Sequence, residues 1–188
     1  MDSPSHTRIQ TAVKTVDRSQ LFGAKEDKFG SISRKGHGIG VLGCCRHFGY
    51  YLEEGKTITG EYYSNLLTRL DEKIHEKTPG LQKKKFIFYQ DSAPAHKSVL
   101  AMGKLRNLHY ELLEHPPCSP DLAPSDFCLF PKHKLFLAGQ RFSLNQEAVA
   151  PTEEYFADLT KNHYRDGVMA LEHRWNKCIS LKGDYVEK

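Results

Sequence analysis

From Thr59 onward, Tyr63, Leu66, Leu67, Leu70 and Ile74 fall on one helical face, Thr59 can cap the start and Pro79-Gly80 ends the run. A helix near 60–77 follows. Residues 85–89 are a lysine followed by four aromatic or β-branched residues, the composition of a buried strand ending at Gln90-Asp91. A turn over 91–96 leads to a second helix, marked by Val99, Met102 and Leu105 or Arg106 and running to Asn107. Residues 110–113 read as another short strand. Residues 115–126 hold four prolines in twelve positions, which excludes a regular element and predicts a rigid, extended loop. Beyond it, 127–137 reads as partly helical with Gly139 closing it, and Ser143-Leu144-Asn145-Gln146 as a capping box that opens a further helix. Pro151 either interrupts that helix or marks its first turn. Val168, Leu171 and Trp175 set a last helix over 166–178. Residues 1–40 sustain no period, and the three glycines of 36–42 weaken any strand there, so 1–34 is taken as a poorly ordered lead-in and 35–188 as the domain. Strand, helix, strand and then helices predict an α/β domain.

The length of 188 residues suits one domain, and 39% hydrophobic with 27% charged residues is the mixture of a globular protein. No apolar run approaches the roughly 18 residues of a membrane helix, and the first twenty residues hold no signal-like stretch, so an intracellular chain with five reduced cysteines is expected. The net charge of +4 permits a polyanionic partner without demanding one. Its distribution is more informative. Lys83, Lys84, Lys85, Lys97, Lys104 and Arg106 face the single acid Asp91 across 83–106, a concentration that a solvated lysine face would also explain.

Two acids occupy places where chains put functional groups: Asp91 at the carboxyl end of a strand and Asp126 at the exit of the proline loop. Two converging carboxylates repel, so a divalent cation with oxygen ligands, magnesium or manganese, is a natural reason to bring them together. Phosphodiester chemistry commonly uses two such ions. Position alone equally allows each to be a helix cap.

Residues 88–96 (FYQDSAPAH) followed by 115–126 (HPPCSPDLAPSD) resemble the signature of mariner-type DNA transposases, whose second and third catalytic aspartates are separated by 34 intervening residues. Here 34 residues lie between Asp91 and Asp126. The similarity continues through 51–70, 140–148, 154–159 and 171–188. The resemblance implies an RNase H-like mixed sheet flanked by helices, with three carboxylates binding two magnesium or manganese ions for transposon-end cleavage and strand transfer. Asp91 takes the second ligand role and Asp126 the third. Copies of this domain also occur fused to a histone-methylating SET domain.

Two departures qualify that expectation. Aligning Lys35 with the lysine that opens the family's first strand puts Gly43 where the first aspartate belongs, and counting back from Tyr51 puts Leu42 there. Neither is an acid, and Glu53 or Glu54 lies in the segment resembling the next strand and turn. Residues 1–40 are also too short and aperiodic for the paired helix-turn-helix units that read transposon ends. Transposition and sequence-specific binding are therefore expected to be absent, leaving salt-sensitive contact with DNA phosphates through Lys83 to Lys85, Lys97, Lys104 and Arg106. The location implied is the nucleus, or the cytoplasm for a translated relic. A non-enzymatic module that homodimerises or pairs with an intact transposase is the alternative, and a relic without function is a third. His115, Cys118, Cys128 and His133 lack the spacing of a zinc knuckle, and adjacent Cys44 and Cys45 with His37 and His47 make no usual chelating pair.

Overall fold

A computed structural model describes residues 29–35, 38–43, 46–52, 56–77 and 86–186. Among them, strands β1 (Phe29–Lys35), β2 (Gly38–Gly43), β3 (Arg46–Tyr51), β4 (Phe86–Gln90) and β5 (Tyr110–Leu113) form one sheet in the order β3-β2-β1-β4-β5. The first three are antiparallel neighbours, whereas β4 runs parallel to both β1 and β5. The helices are α1 (Gly60–Lys77), α2 (Val99–Asn107), α3 (Phe130–Leu137), α4 (Val149–Asp158) and α5 (Lys161–Ser180).

Alternation along β4 sorts the core into two layers. Phe88 joins Tyr63, Leu66, Leu67 and Leu70 of α1 and Ala101 and Leu105 of α2 on one face. Ile87 and Tyr89 point the other way, into Leu113, Leu122, Leu171, Trp175, Cys178 and Val186. A third cluster, of Leu129, Phe130, Phe156 and Tyr164, ties α3 to α4 and α5. The predicted RNase H-like mixed sheet flanked by helices is the architecture observed.

Local chemistry accounts for the element ends. Thr59 Oγ1 accepts the Tyr62 N–H and Ser98 Oγ the Ala101 N–H, each satisfying an orphan donor of a first turn. The start of α1 passes so close to that second cap that a Cβ on Gly60 would stand 2.4 Å from Ser98 Oγ, a separation only glycine permits. Pro151 is the third residue of α4, in the first turn, where its missing N–H costs nothing. The capping box at 143–146 takes another form: a short 3-10 turn, Asn145–Ala148, precedes α4, and Glu147 rather than Gln146 accepts the Ser143 N–H. The last helix begins at Lys161, a turn and more before residue 166, because Tyr164 is buried and extends its inner face.

The largest correction concerns the region before residue 44. The sheet takes in Phe29–Lys35, ahead of the expected boundary at residue 35, and this strand lies at its centre. The glycine-rich Gly38–Gly43 is also a strand, because pairing on both sides supplies the backbone bonds that composition argues against. The lead-in expected over 1–28 lies outside the described residues.

Candidate active site

Asp91 follows the last residue of β4, and its carboxylate is held by the turn that comes after it. The Ala93 N–H donates to Asp91 Oδ1 at 3.1 Å, and His96 Nδ1 donates to the same oxygen at 2.5 Å. His96 is 2% exposed and its ring lies 4.1 Å from that of Tyr63. The Tyr63 hydroxyl in turn donates to Gln90 Oε1, and Gln90 Nε2 donates to the His96 carbonyl. Gln90, Asp91 and His96 therefore form a closed set on α1 that fixes one carboxylate oxygen, while the Asp91 side chain as a whole stays 43% exposed.

Burial is the largest single influence on the Asp91 carboxyl and pulls it upward. The hydrogen bond and charge of His96, the Ala93 N–H and the charge of His115 together outweigh it and hold the group below the ordinary carboxylate range. A carboxyl depressed in the folded state stabilises folding above its unfolded value, near 3.9, and that contribution is lost as pH falls through the folded value. Acid-induced melting is accordingly expected to be steeper below about pH 4 for the parent than for Asp91→Asn. Equal slopes would show that Asp91 gains nothing from these partners.

Asp126 arrives from the proline loop, which is tied down at several points. The Tyr89 hydroxyl accepts from His115 Nδ1 and donates to the Leu122 carbonyl at 2.9 Å, and Ser92 Oγ donates to the His115 carbonyl. The carboxyl-terminal segment straps the loop from outside: Val186 N–H donates to Asp121 Oδ2, Arg174 to the Asp121 and Val186 carbonyls, and the Tyr185 hydroxyl to the Cys118 carbonyl. After the loop comes a π-helical turn, Ser125–Leu129, which carries Asp126 and lies against β1. Its Phe127 packs on the Ile87 and Tyr89 face of the sheet, under the Arg174 guanidinium. Asp91 thus stands at the carboxyl end of β4, and Asp126 on a turn that lies against β1. Asp91 also lines an open cavity of about 390 Å³ with Lys97, Glu114 and His115.

Gly43 does not belong to this place. It pairs with Gly30 of β1 and Arg46 of β3, and Gly30 is level with Phe88, toward the opposite end of the sheet from Asp91. The last parallel pair is Ile32 with Gln90, so the next residue of β1, Ser33, is level with Asp91. Beyond it stand Arg34 and Lys35.

The predicted cations divide. Lys83, Lys84 and Lys85 lie outside the described residues, as do Glu53, Glu54 and the Cys44 and Cys45 pair. Lys97 is exposed beside Asp91. Lys104 and Arg106 occupy the last turn of α2, about 10–14 Å along the helix from Lys97, where they complement the helix dipole instead. His115 Nδ1 pairs with the Tyr89 hydroxyl and His133 Nε2 with Thr152 Oγ1, and among the described residues no group of three His, Cys, Asp or Glu side chains gathers around the loop. His96 was legible as the histidine five residues after Asp91, although spacing alone assigned it no role.

With this geometry in place, comparison with known proteins supplies the lineage. Residues 47–84 match the family model described as Transposase (partial DDE domain). The chain is 36% identical over 142 residues to the Mariner Mos1 transposase of Drosophila mauritiana, across 73% of this chain and 41% of that protein. It is 33% identical over 138 residues to the human Histone-lysine N-methyltransferase SETMAR, across 73% of this chain and 20% of that protein. The structure of the Mos1 transposase catalytic domain and Raltegravir with Mn superposes with a TM-score of 0.88 at 27% identity, covering 100% of this chain and 98% of that one. The chain is a mariner transposase catalytic domain. It spans about two fifths and one fifth of the two curated relatives. The expected resemblance and the RNase H-like fold therefore both stand.

Among the described residues, the donor set around Asp91 and Asp126 is incomplete for a two-ion centre. Among the described residues, no three His, Cys, Asp or Glu side chains come together to hold a metal ion. Beside Asp91, β1 presents Ser33, Arg34 and Lys35 in sequence and no acid. A pair of divalent ions needs a carboxylate able to bridge them, and two separate aspartates without a third leave most of that charge uncompensated.

Proposed function

We propose that this domain binds nucleic acid through its phosphates, without sequence preference and without cleaving it. The observation that carries the reading is β1: Ser33 is level with Asp91 and the strand ends in Arg34 and Lys35, so its sequence brings two cations and no acid to this end of the sheet. Lys97 adds positive charge at the mouth of the cavity that Asp91 lines. Phosphate oxygens are the ligands such groups attract, and lysine and arginine contacts with phosphate displace counterions, which makes affinity steeply salt-dependent. The likeness to a transposase favours DNA as the polyanion, and the nucleus as the place of action follows from that partner. Among the described residues no helix is long and apolar enough to cross a membrane.

Fluorescence anisotropy with two duplexes of unrelated sequence tests this. Equal affinities are expected, falling together as salt rises from about 50 to 200 mM and unchanged by EDTA. Preference for one duplex, or binding that requires a divalent ion, would sink the proposal.

A further inference from the structure

The outer end of α3 and the loop after it carry a surface that the carboxylate site does not use. From Phe127 to Gln146 the sequence contains no acid, while Lys134 and Arg141 are exposed. Between and beyond these two cations, Leu135 is 75% exposed, Phe136 41% and Leu144 60%. The first acid after this stretch, Glu147, is turned back onto the Ser143 N–H.

Phe136 is not a stray apolar side chain. Its ring lies 5.1 Å from Tyr155, which lies 5.3 Å from His133 and 5.2 Å from Phe156; His133 and Phe156 are 5.0 Å apart. Phe156 belongs to the buried cluster of α3, α4 and α5, and His133 is fixed by its Nε2 contact with Thr152 Oγ1. The group is a cluster of tilted and edge-on rings rooted in the core, with Phe136 its most exposed phenylalanine. Such a ring is already ordered, so a further flat partner adds to it with little entropic cost.

We infer that this ridge receives single-stranded nucleic acid, a base stacking on Phe136 and phosphates meeting Lys134 and Arg141. A duplex fits less well, because its paired bases would leave Phe136 and Leu135 against phosphate. An unpaired strand offers bases and phosphates together, which is the combination of aromatic platform and cations that such strands select. In sequence, α3 follows directly from the turn bearing Asp126, so the ridge and that carboxylate lie on neighbouring elements. This inference rests on the proposed nucleic-acid binding and specifies a second contact surface for it.

The test uses the whole chain, fluorescein-labelled oligothymidine and a duplex, with melting curves for every variant. Phe136→Ala is expected to weaken oligothymidine binding about tenfold with its salt dependence unchanged, Phe136→Trp to retain it, and neither to alter duplex affinity. Lys134→Gln with Arg141→Gln should lower the logarithmic salt slope by about 1.4, or roughly 0.7 per phosphate contact. Should Phe136→Ala fail to fold, Phe136→Leu carries the same comparison. Parental affinity for oligothymidine in a folded Phe136 variant, or an equal loss on duplex, overturns the ridge alone. Dissociation of a parental homodimer by Phe136→Ala would identify the surface as a protein interface and also overturn it. Failure of the parent to bind either nucleic acid overturns both readings.

Discussion

Supercoiled DNA incubated with manganese is expected to remain intact with this chain and to be nicked by its Ser33→Asp variant. The reason is register. Ile32 is the last β1 residue paired with β4, opposite Gln90, which sets position 33 level with Asp91. The turn that holds Asp126 lies against the same strand. A carboxylate introduced there would be level with Asp91 on the strand that the Asp126 turn touches, and a divalent ion, if these acids held one, would supply several kcal/mol of charge stabilisation at a phosphodiester, equivalent to orders of magnitude in rate. Gly43→Asp is expected to do nothing, since Gly43 is level with Phe88 through Gly30, about 10 Å along the strands from Asp91. Adding Asp126→Ala to Ser33→Asp should return the protein to silence. Nicking by the unmodified chain would mean that another carboxylate already completes the centre. An inert but folded Ser33→Asp would show that the register position is not the missing one.

That Gly43 was the sequence expectation and Ser33 the structural one has a physical cause. The helices α1 and α2 and the strands β4 and β5 were legible because each presents one apolar face or run to a single layer of core, and periodicity records that directly. β1 does not. Gly30, Ser31, Ser33, Arg34 and Lys35 leave little apolar signal, and the strand exists because β2 and β4 bond it on both sides. With the central strand unseen, the count toward a lost acid began one strand too late and ended in β2. The site divides in the same way. The positions of Asp91 after a strand and of Asp126 after the proline loop were readable from the turn and proline chemistry around them, whereas the contacts of His96 depend on Tyr63, which is 33 residues earlier and meets it only after α1 has packed on the sheet. Likewise, the hold of Arg174 and Val186 on Asp121 spans more than fifty residues, a distance at which a single sequence carries no local signal.

Trp175→Ala is expected to cost about 3–5 kcal/mol, a large share of the roughly 5–15 kcal/mol that holds an ordinary domain together. Trp175 is 1% exposed and sits among Ile87, Tyr89, Leu113, Leu122, Leu171, Cys178 and Val186, residues of β4, β5, the proline loop, α5 and the terminal strap. Its removal opens a void where these five pieces meet, so the loop carrying Asp126 should loosen before the α1 and α2 layer does. A fall in the denaturant midpoint accompanied by new proteolytic cleavage within 115–126 is the expected result. Trp175→Phe separates packing from polarity. Trp175 Nε1 has no hydrogen-bond partner among the described residues, so phenylalanine removes volume without stranding an acceptor. It should cost much less than alanine and leave the loop resistant to protease. Equal costs for the two variants would place an essential hydrogen bond on the indole nitrogen, and would move the attachment of the loop from apolar packing to a polar contact.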